Sequence, residues 1–215
     1  MTLAESRPTN PAGWPSGITR DLSVLSAARV DQADRHRVVA TLVSAFIMDP
    51  VERWLFPESV QYLTHFPAFV AAFAGEAFVS NTVWALEEFA AVALWLPPGS
   101  EPDVEPIITA LTETVSQRQH DHLFSVLDQM NAAHPQEPHW YLPWLGVDCA
   151  RQGLGLGGQL LRQCLVTVDS QRLPAFLETP NPHTIPFYER HGFMVTSVAQ
   201  AGDCPPLTSM LRPGS

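Results

Sequence analysis

Between Leu145 and Leu161 this 215-residue chain leaves a strand, crosses a short polar loop and enters a helix through a run of glycines. Gly153, Gly155, Gly157 and Gly158 fall within six residues. The helix that follows has one apolar face, formed by Leu156, Leu160, Leu161, Cys164, Leu165 and Val168 at helical spacing. Glycines carry no Cβ, so their backbone N–H groups can approach an anion closely. The first turn of a helix adds donors without intrahelical partners and a partial positive charge. Together these features suit a pyrophosphate. Tight strand–helix packing alone would not require so many glycines in so short a run.

The type of pyrophosphate is narrowed by what surrounds the turn. Gly153, Gly155 and Gly158 satisfy the G-x-G-x-x-G pattern of dinucleotide-binding folds, and Glu178 follows about twenty residues later. Two features argue against that fold. Its first glycine sits directly at the strand end, whereas Asp148 to Gln152 intervene here. Only about sixty residues follow the motif, too few to complete a doubly wound domain.

Periodicity along the rest of the chain predicts a mixed α/β sheet. Residues 1–17 are rich in Pro, Ser, Thr and Gly and read as a flexible leader, with one domain over 18–215. Leu22 to Ala28 is a candidate first strand, and Asp31 to Ile47 a helix closed by Asp49-Pro50. One or two helices are expected over 50–79. Asn81 to Glu87 and Phe89 to Leu96 read as a hairpin, and residues 103–133 as a helix in two pieces divided near Gln117 to Asp121. Trp140 to Val147 is a strand, Gly155 to Ser170 a helix and Ala175 to Glu178 a strand. Ile185 to His191 is a short helix, and Phe193 to Ala199 and Leu207 to Leu211 complete six or seven strands.

A second motif follows the glycine turn by one strand. From Glu178 through Asn181 to Tyr188, Gly192 and Phe193, the segment can form a short helix capped by Thr184, with Pro186 in its first turn and Gly192 in the left-handed position after it. Gln152-x-x-Gly155-x-Gly157 resembles the pyrophosphate loop of the GNAT superfamily, Q/R-x-x-G-x-G/A. Asn181 to Phe193 resembles its C-terminal motif, N…FYE+xGF. Two motifs in order and at the right separation are far more specific than either alone. The likeness covers residues 80–212 well and the N-terminal part loosely. Within the superfamily it is closest to puromycin N-acetyltransferase-like members, through Ala91 to Pro98, Glu137 to Leu142 and Pro174 to Thr179.

The resemblance implies a mostly antiparallel GNAT-type sheet flanked by helices. It implies acetyl-CoA as co-substrate, cradled by the backbone of Gln152, Gly153, Leu154, Gly155, Leu156, Gly157 and Gly158. Leu145, Gly146 and Val147 would pair with the pantetheine arm, and Asn181 would add a cofactor hydrogen bond. An amine would attack the thioester directly through a tetrahedral intermediate, with an oxyanion donor near Gly146 or Val147. Tyr188, a phenol with an ordinary pKa near 10, would protonate the leaving thiolate. Glu87, Glu88, His139, Glu178 and His183 are candidate bases, Glu178 foremost. Trp54, Phe56, Tyr62, Phe66 and Trp84 are candidate walls of the amine pocket, though each also fits a core. A non-catalytic acyl-CoA-binding regulatory module is the alternative.

Composition bounds the partners. A net charge of −10 argues against nucleic acid and is compatible with a cationic amine. All twelve basic residues are Arg, so a lysine Schiff base or P-loop lysine is ruled out. Cys149, Cys164 and Cys204 are odd in number and widely spaced, as expected of free thiols in the cytoplasm. No run of apolar residues was expected to span a membrane. His120-x-His122 lacks a third metal ligand, so no metal is expected. The oligomeric state is open.

Overall fold

Alternation along Ala91–Leu96 decides how the molecule is layered. Val92, Leu94 and Leu96 lie on one face of this strand and Ala91, Ala93 and Trp95 on the other, and all six are buried. A strand buried on both faces needs a helical layer on each. The computed structural model describes residues 25–100, 102 and 104–214 and supplies both layers.

Seven strands form one sheet: β1 (Ala28–Arg29), β2 (Val83–Leu86), β3 (Ala91–Leu96), β4 (Trp140–Val147), β5 (Ala175–Thr179), β6 (Met194–Ala199) and β7 (Leu207–Arg212). Their order is β1-β2-β3-β4-β5-β7-β6. Only β4 and β5 run parallel; every other neighbouring pair is antiparallel. The helices are α1 (Arg35–Ala45), α2 (Pro50–Leu55), α3 (Ser59–Val79), α4 (Val104–Thr114), α5 (Gln117–Ala133), α6 (Leu156–Asp169) and α7 (Ile185–Glu189). Val38 and Leu42 of α1, Phe66 and Val70 of α3 and Leu111 of α4 pack with Val92, Leu94 and Trp144 on one face. Leu156, Leu160, Leu161, Cys164 and Val168 of α6 pack with Ala93, Trp95 and Leu177 on the other.

The expected mixed sheet is therefore present, with β4 at the expected bounds. Differences fall at element ends. Residues 1–17 and the start of the expected first strand lie outside the described residues, and β1 is confined to Ala28–Arg29. The helix break falls at Val115-Ser116, just before the expected stretch. Thr184 does not cap α7; its hydroxyl hydrogen-bonds Thr179 Oγ1 (2.6 Å) and the Asn181 carbonyl (2.7 Å). Contrary to the sequence expectation, α3 is long and apolar enough to cross a membrane by length and composition. Here Tyr62, Phe66, Phe69, Val70, Ala74 and Ala77 bury one side of it in the core.

Two irregularities shape the site. Strands β4 and β5 pair only at Trp140↔Ala175 and Tyr141↔Phe176, then diverge. Pro143, just beyond, has no N–H to continue the ladder. The second irregularity is the close approach of α1 to β4. A Cβ at Gly146 would lie 2.7 Å from Leu42 Cδ2 and 2.9 Å from Ala45 Cβ. Gly146→Val should therefore push α1 off the strand and cost about 1–3 kcal/mol of stability, despite the higher strand propensity of Val. Thermal unfolding should show a midpoint lower by several degrees.

Candidate active site

The glycine turn is held in shape by its own side chains. Asp148 accepts a hydrogen bond from the Ala150 N–H (2.8 Å) and starts a single 3-10 turn, Cys149–Arg151. Gln152 Nε2 donates to the Val147 carbonyl (3.1 Å), folding the loop back against the strand end. Gly153 (φ +75°) and Gly155 (φ +79°) take left-handed conformations that side chains disfavour. Gly155 is the N-cap of α6, and the first intrahelical bond runs from Gln159 N–H to the Gly155 carbonyl (3.0 Å). The N–H groups of Leu156, Gly157 and Gly158 thus have no helical acceptor. A Cβ at Gly153 would meet nothing within 4 Å, so the space in front of the loop is open.

A second tether joins this loop to the β2–β3 turn. Arg151 Nη2 lies 2.5 Å from Glu87 Oε1. Glu87, Glu88 and Phe89 hold φ values of 52°, 52° and 72°, three successive left-handed residues other than glycine. Such a turn persists only when its surroundings hold it. Thr41 Oγ1 donates to the Phe89 carbonyl (2.7 Å), and the Arg37 guanidinium sits 3.9 Å from the Phe89 ring centre. Glu87 is thereby a structural partner of the loop rather than a base.

The ladder between β3 and β4 fixes which backbone groups face the gap. Asp148 N–H donates to the Ala90 carbonyl (2.9 Å), and Gly146 pairs with Val92. Alternation turns the N–H groups of Gly146 and Asp148 toward β3 and those of Leu145 and Val147 toward the diverging side. Of the two positions expected to supply an oxyanion donor, Val147 turns its N–H toward the diverging side and Gly146 does not. Gly146 serves instead for the close approach of α1.

Across the gap, Glu178 at the end of β5 faces Tyr141 of β4. Burial pushes the Glu178 carboxyl up to about 7, and the hydrogen bond from Tyr141 pulls it partly back. Glu178 Oε2 is buried and has no hydrogen-bond partner among the described residues. Tyr188 of α7 is 9% exposed, with Phe187 and Phe193 against its ring. Burial raises its phenol well above the ordinary value. That corrects the expectation of a phenol near 10: Tyr188 stays protonated but is a weaker acid, suited to donating a hydrogen bond. Asn181 Oδ1 accepts from the His183 N–H (3.0 Å) and caps a 3-10 turn.

The glycine loop, the β4 edge, Tyr141, Glu178, Asn181 and Tyr188 border one cavity of about 640 Å³. It reaches from Gly153, Gly155, Gly157 and Gly158, past Leu145 to Val147, Glu178, Asn181 and Tyr188, to an apolar end under α2 and α5. The profile of the acetyltransferase (GNAT) family matches residues 114–193, the stretch that carries β4, the glycine loop and α7. An uncharacterised N-acetyltransferase of Schizosaccharomyces pombe (strain 972 / ATCC 24843) is 26% identical over 194 residues, covering 79% of this chain and 74% of its own. Over this stretch the chain is similar to GNAT-type acetyltransferases.

Solved structures share the fold of this chain. A structure from Corynebacterium glutamicum ATCC 13032, described as histone acetyltransferase HPA2 and related acetyltransferase, has a TM-score of 0.64 at 23% identity, covering 89% of this chain and 97% of its own. Arylalkylamine N-acetyltransferase 2 from Aedes aegypti has a TM-score of 0.62 at 13% identity, covering 89% of this chain and all of its own.

Of the five candidate bases, Glu178 alone borders the cavity. His139 Nε2 lies 2.9 Å from His134 Nε2, in a cluster with Tyr141 and Phe176. His183 and Glu88 are not in the cavity wall. Among the expected aromatic walls only Trp54 borders it. Phe56, Tyr62 and Phe66 are core residues, and Trp84 lies on the opposite face beneath Arg29. The aromatic wall is instead Phe46, Phe69, Phe73, Tyr141 and Trp144. Sequence reasoning also missed Asp49 and Glu52, whose place at a helix start gave no signal of a cavity.

Proposed function

We propose that this chain is a GNAT-type acetyltransferase that transfers the acetyl group of acetyl-CoA to the amine of a small molecule by direct attack. One cavity carries the reading, because it brings the glycine loop, the open edge of β4, Glu178 and Tyr188 to a common space. Its size is that of a small-molecule site. The unpaired N–H groups of Leu156, Gly157 and Gly158, with the open space before Gly153, fit a pyrophosphate. The Leu145 and Val147 backbone fits a pantetheine arm added like a strand, with Asn181 bordering its path.

On this reading Glu178, poised near neutrality by burial, accepts the proton that the attacking ammonium must lose. Tyr141 holds the carboxyl in place. Val147 or Leu145 N–H stabilises the charge that develops on the thioester oxygen. Tyr188, kept protonated, donates a hydrogen bond to the departing thiolate. The Aedes aegypti enzyme and a Drosophila melanogaster polyamine N-acetyltransferase of similar fold act on small amines, which supports that acceptor class. The local likeness to puromycin N-acetyltransferases supports including puromycin among the trial acceptors. Free Cys149, Cys164 and Cys204 support a cytoplasmic location.

Calorimetric titration with acetyl-CoA, and separately with NADH, tests the cofactor. Micromolar acetyl-CoA binding, no response to NADH and release of free thiol with a panel of small amines are expected. Absence of acetyl-CoA binding would overturn the reading.

A further inference from the structure

The end of the cavity farthest along from the glycine loop holds two carboxyl groups that the proposed chemistry leaves unused. Asp49 and Glu52 sit at the start of α2 and border the cavity together with Phe69, Phe73, Trp54 and Leu123. Glu52 is 6% exposed, and its Oε2 is buried without a hydrogen-bond partner among the described residues. No ion pair to either carboxyl occurs among the described residues. Asp49 is committed in part, since its Oδ1 accepts the N–H groups of Val51 (3.0 Å) and Glu52 (3.2 Å). The charges of Asp49, Glu52 and Arg53 act on Tyr62, Cys204 lines the same cavity, and Asp203 accepts from Trp54 Nε1 (3.2 Å). The Tyr62 hydroxyl donates to the Val43 carbonyl (2.7 Å), and Arg53 donates to the Pro57 carbonyl (2.5 Å).

We infer that this end of the cavity binds a second cationic nitrogen, so that the acceptor is a diamine: one nitrogen is acetylated beside Glu178, and the other is held by Glu52 and Asp49 across an apolar spacer. The inference rests on the acetyl-transfer reading and names its substrate class. A buried carboxyl beside a half-buried one, with no cation between them, is costly, and the cost is relieved by a ligand that brings the charge. Burial pushes Asp49 up to about 6 against the hydrogen bonds from the Val51 and Glu52 N–H groups, and burial together with the charge of Asp49 pushes Glu52 well above the usual carboxylate range. A bound ammonium reverses that balance in favour of the ionised pair.

Asp49 is the charge that acts on Glu52, whereas the side chain that acts on Glu178 is Tyr141. The roles of Glu52 and Glu178 divide accordingly. A nitrogen must lose its proton to attack, which Glu178 can bring about beside Tyr188. A nitrogen paired with Glu52 and Asp49 is kept charged and cannot attack. A diamine therefore binds with one end reactive and the other protected, and is acetylated once. A simple alkylamine would fill the apolar wall but leave Glu52 unpaired.

The test compares 1,4-diaminobutane, 1,6-diaminohexane and 1,8-diaminooctane with the n-alkylamine of the same carbon number, by kcat/KM for thiol release. Wild type should prefer at least one diamine by about tenfold to a hundredfold, the range of a hydrogen bond to a charged group. Glu52→Gln should collapse that ratio chiefly through KM. Asp49→Asn, whose amide oxygen can still cap α2, should reduce it less. Alkylamines turned over as well as every diamine, or a ratio unchanged in Glu52→Gln, would overturn the inference. If no amine is acetylated, the acetyl-transfer reading fails, and thermal midpoints still read the cation site. The best-fitting diamine should raise the wild-type midpoint and not that of Glu52→Gln, while equal midpoints in both proteins would remove the site.

Discussion

Glu178→Gln lowers kcat/KM for amine acetylation by about a hundredfold to ten-thousandfold and removes a limb of its pH profile near pH 7. The amide keeps the shape of the carboxyl and the contact with Tyr141, but it cannot take up a proton. In the wild type the base works only when ionised, and burial sets its pKa at about 7. The rate therefore rises with pH through that value and levels off, apart from the ionisation of the amine itself. In the variant only the amine's own limb remains. Stability runs the other way. A carboxyl whose folded pKa lies above its ordinary value of 4.5 binds more protons folded than unfolded, so it costs stability as pH rises from that value to about 7. Gln carries no such cost. The variant should unfold at pH 8 no more easily than wild type, which separates lost chemistry from lost structure. An intact limb near pH 7 in Glu178→Gln would place the base elsewhere.

The features legible in the sequence were those that a short stretch of backbone enforces on itself. The glycine loop is of this kind, because left-handed φ at Gly153 and Gly155 and the cap of α6 are local demands. Strand β4 likewise follows from its β-favouring residues and the turn that ends it. The acidic end of the cavity was not legible. Asp49-Pro50 reads as a stop for one helix and a start for the next, and it does both. Its second use depends on α2 folding back so that Val51 and Trp54 meet Val126, Cys204 and Leu207, residues far along the chain. The aromatic wall was misread for the same reason. Composition shows that rings are available, but only packing around Trp144 decides that Phe46 and Phe73 meet the cavity while Tyr62 and Phe66 close the core. Glu87 looked like a base because it is acidic and near the site; its bond to Arg151 crosses from the hairpin to the loop and gives it a different task.

Gly155→Val should weaken acetyl-CoA binding by at least about a hundredfold, a loss of about 2.7 kcal/mol. The residue takes φ +79° at the N-cap of α6, where a β-branched side chain is a steric outlier. Relief requires the backbone to leave the left-handed region, which rotates the peptide that delivers the chain into the helix. The N–H groups of Leu156, Gly157 and Gly158 then no longer converge on one point, and their joint hold on a pyrophosphate is lost even though each donor survives. The helix itself remains anchored by Leu160, Leu161, Cys164 and Val168. The thermal midpoint should consequently fall by only a few degrees, in keeping with about 1–2 kcal/mol of local strain. Calorimetry and thermal unfolding of the same preparation read the two effects separately. Affinity retained with a lowered midpoint would mean that these donors do not hold the cofactor. A collapsed fold would mean that Gly155 matters first for the packing of α6, and Gly153→Val would then probe the open space before the loop without touching the cap.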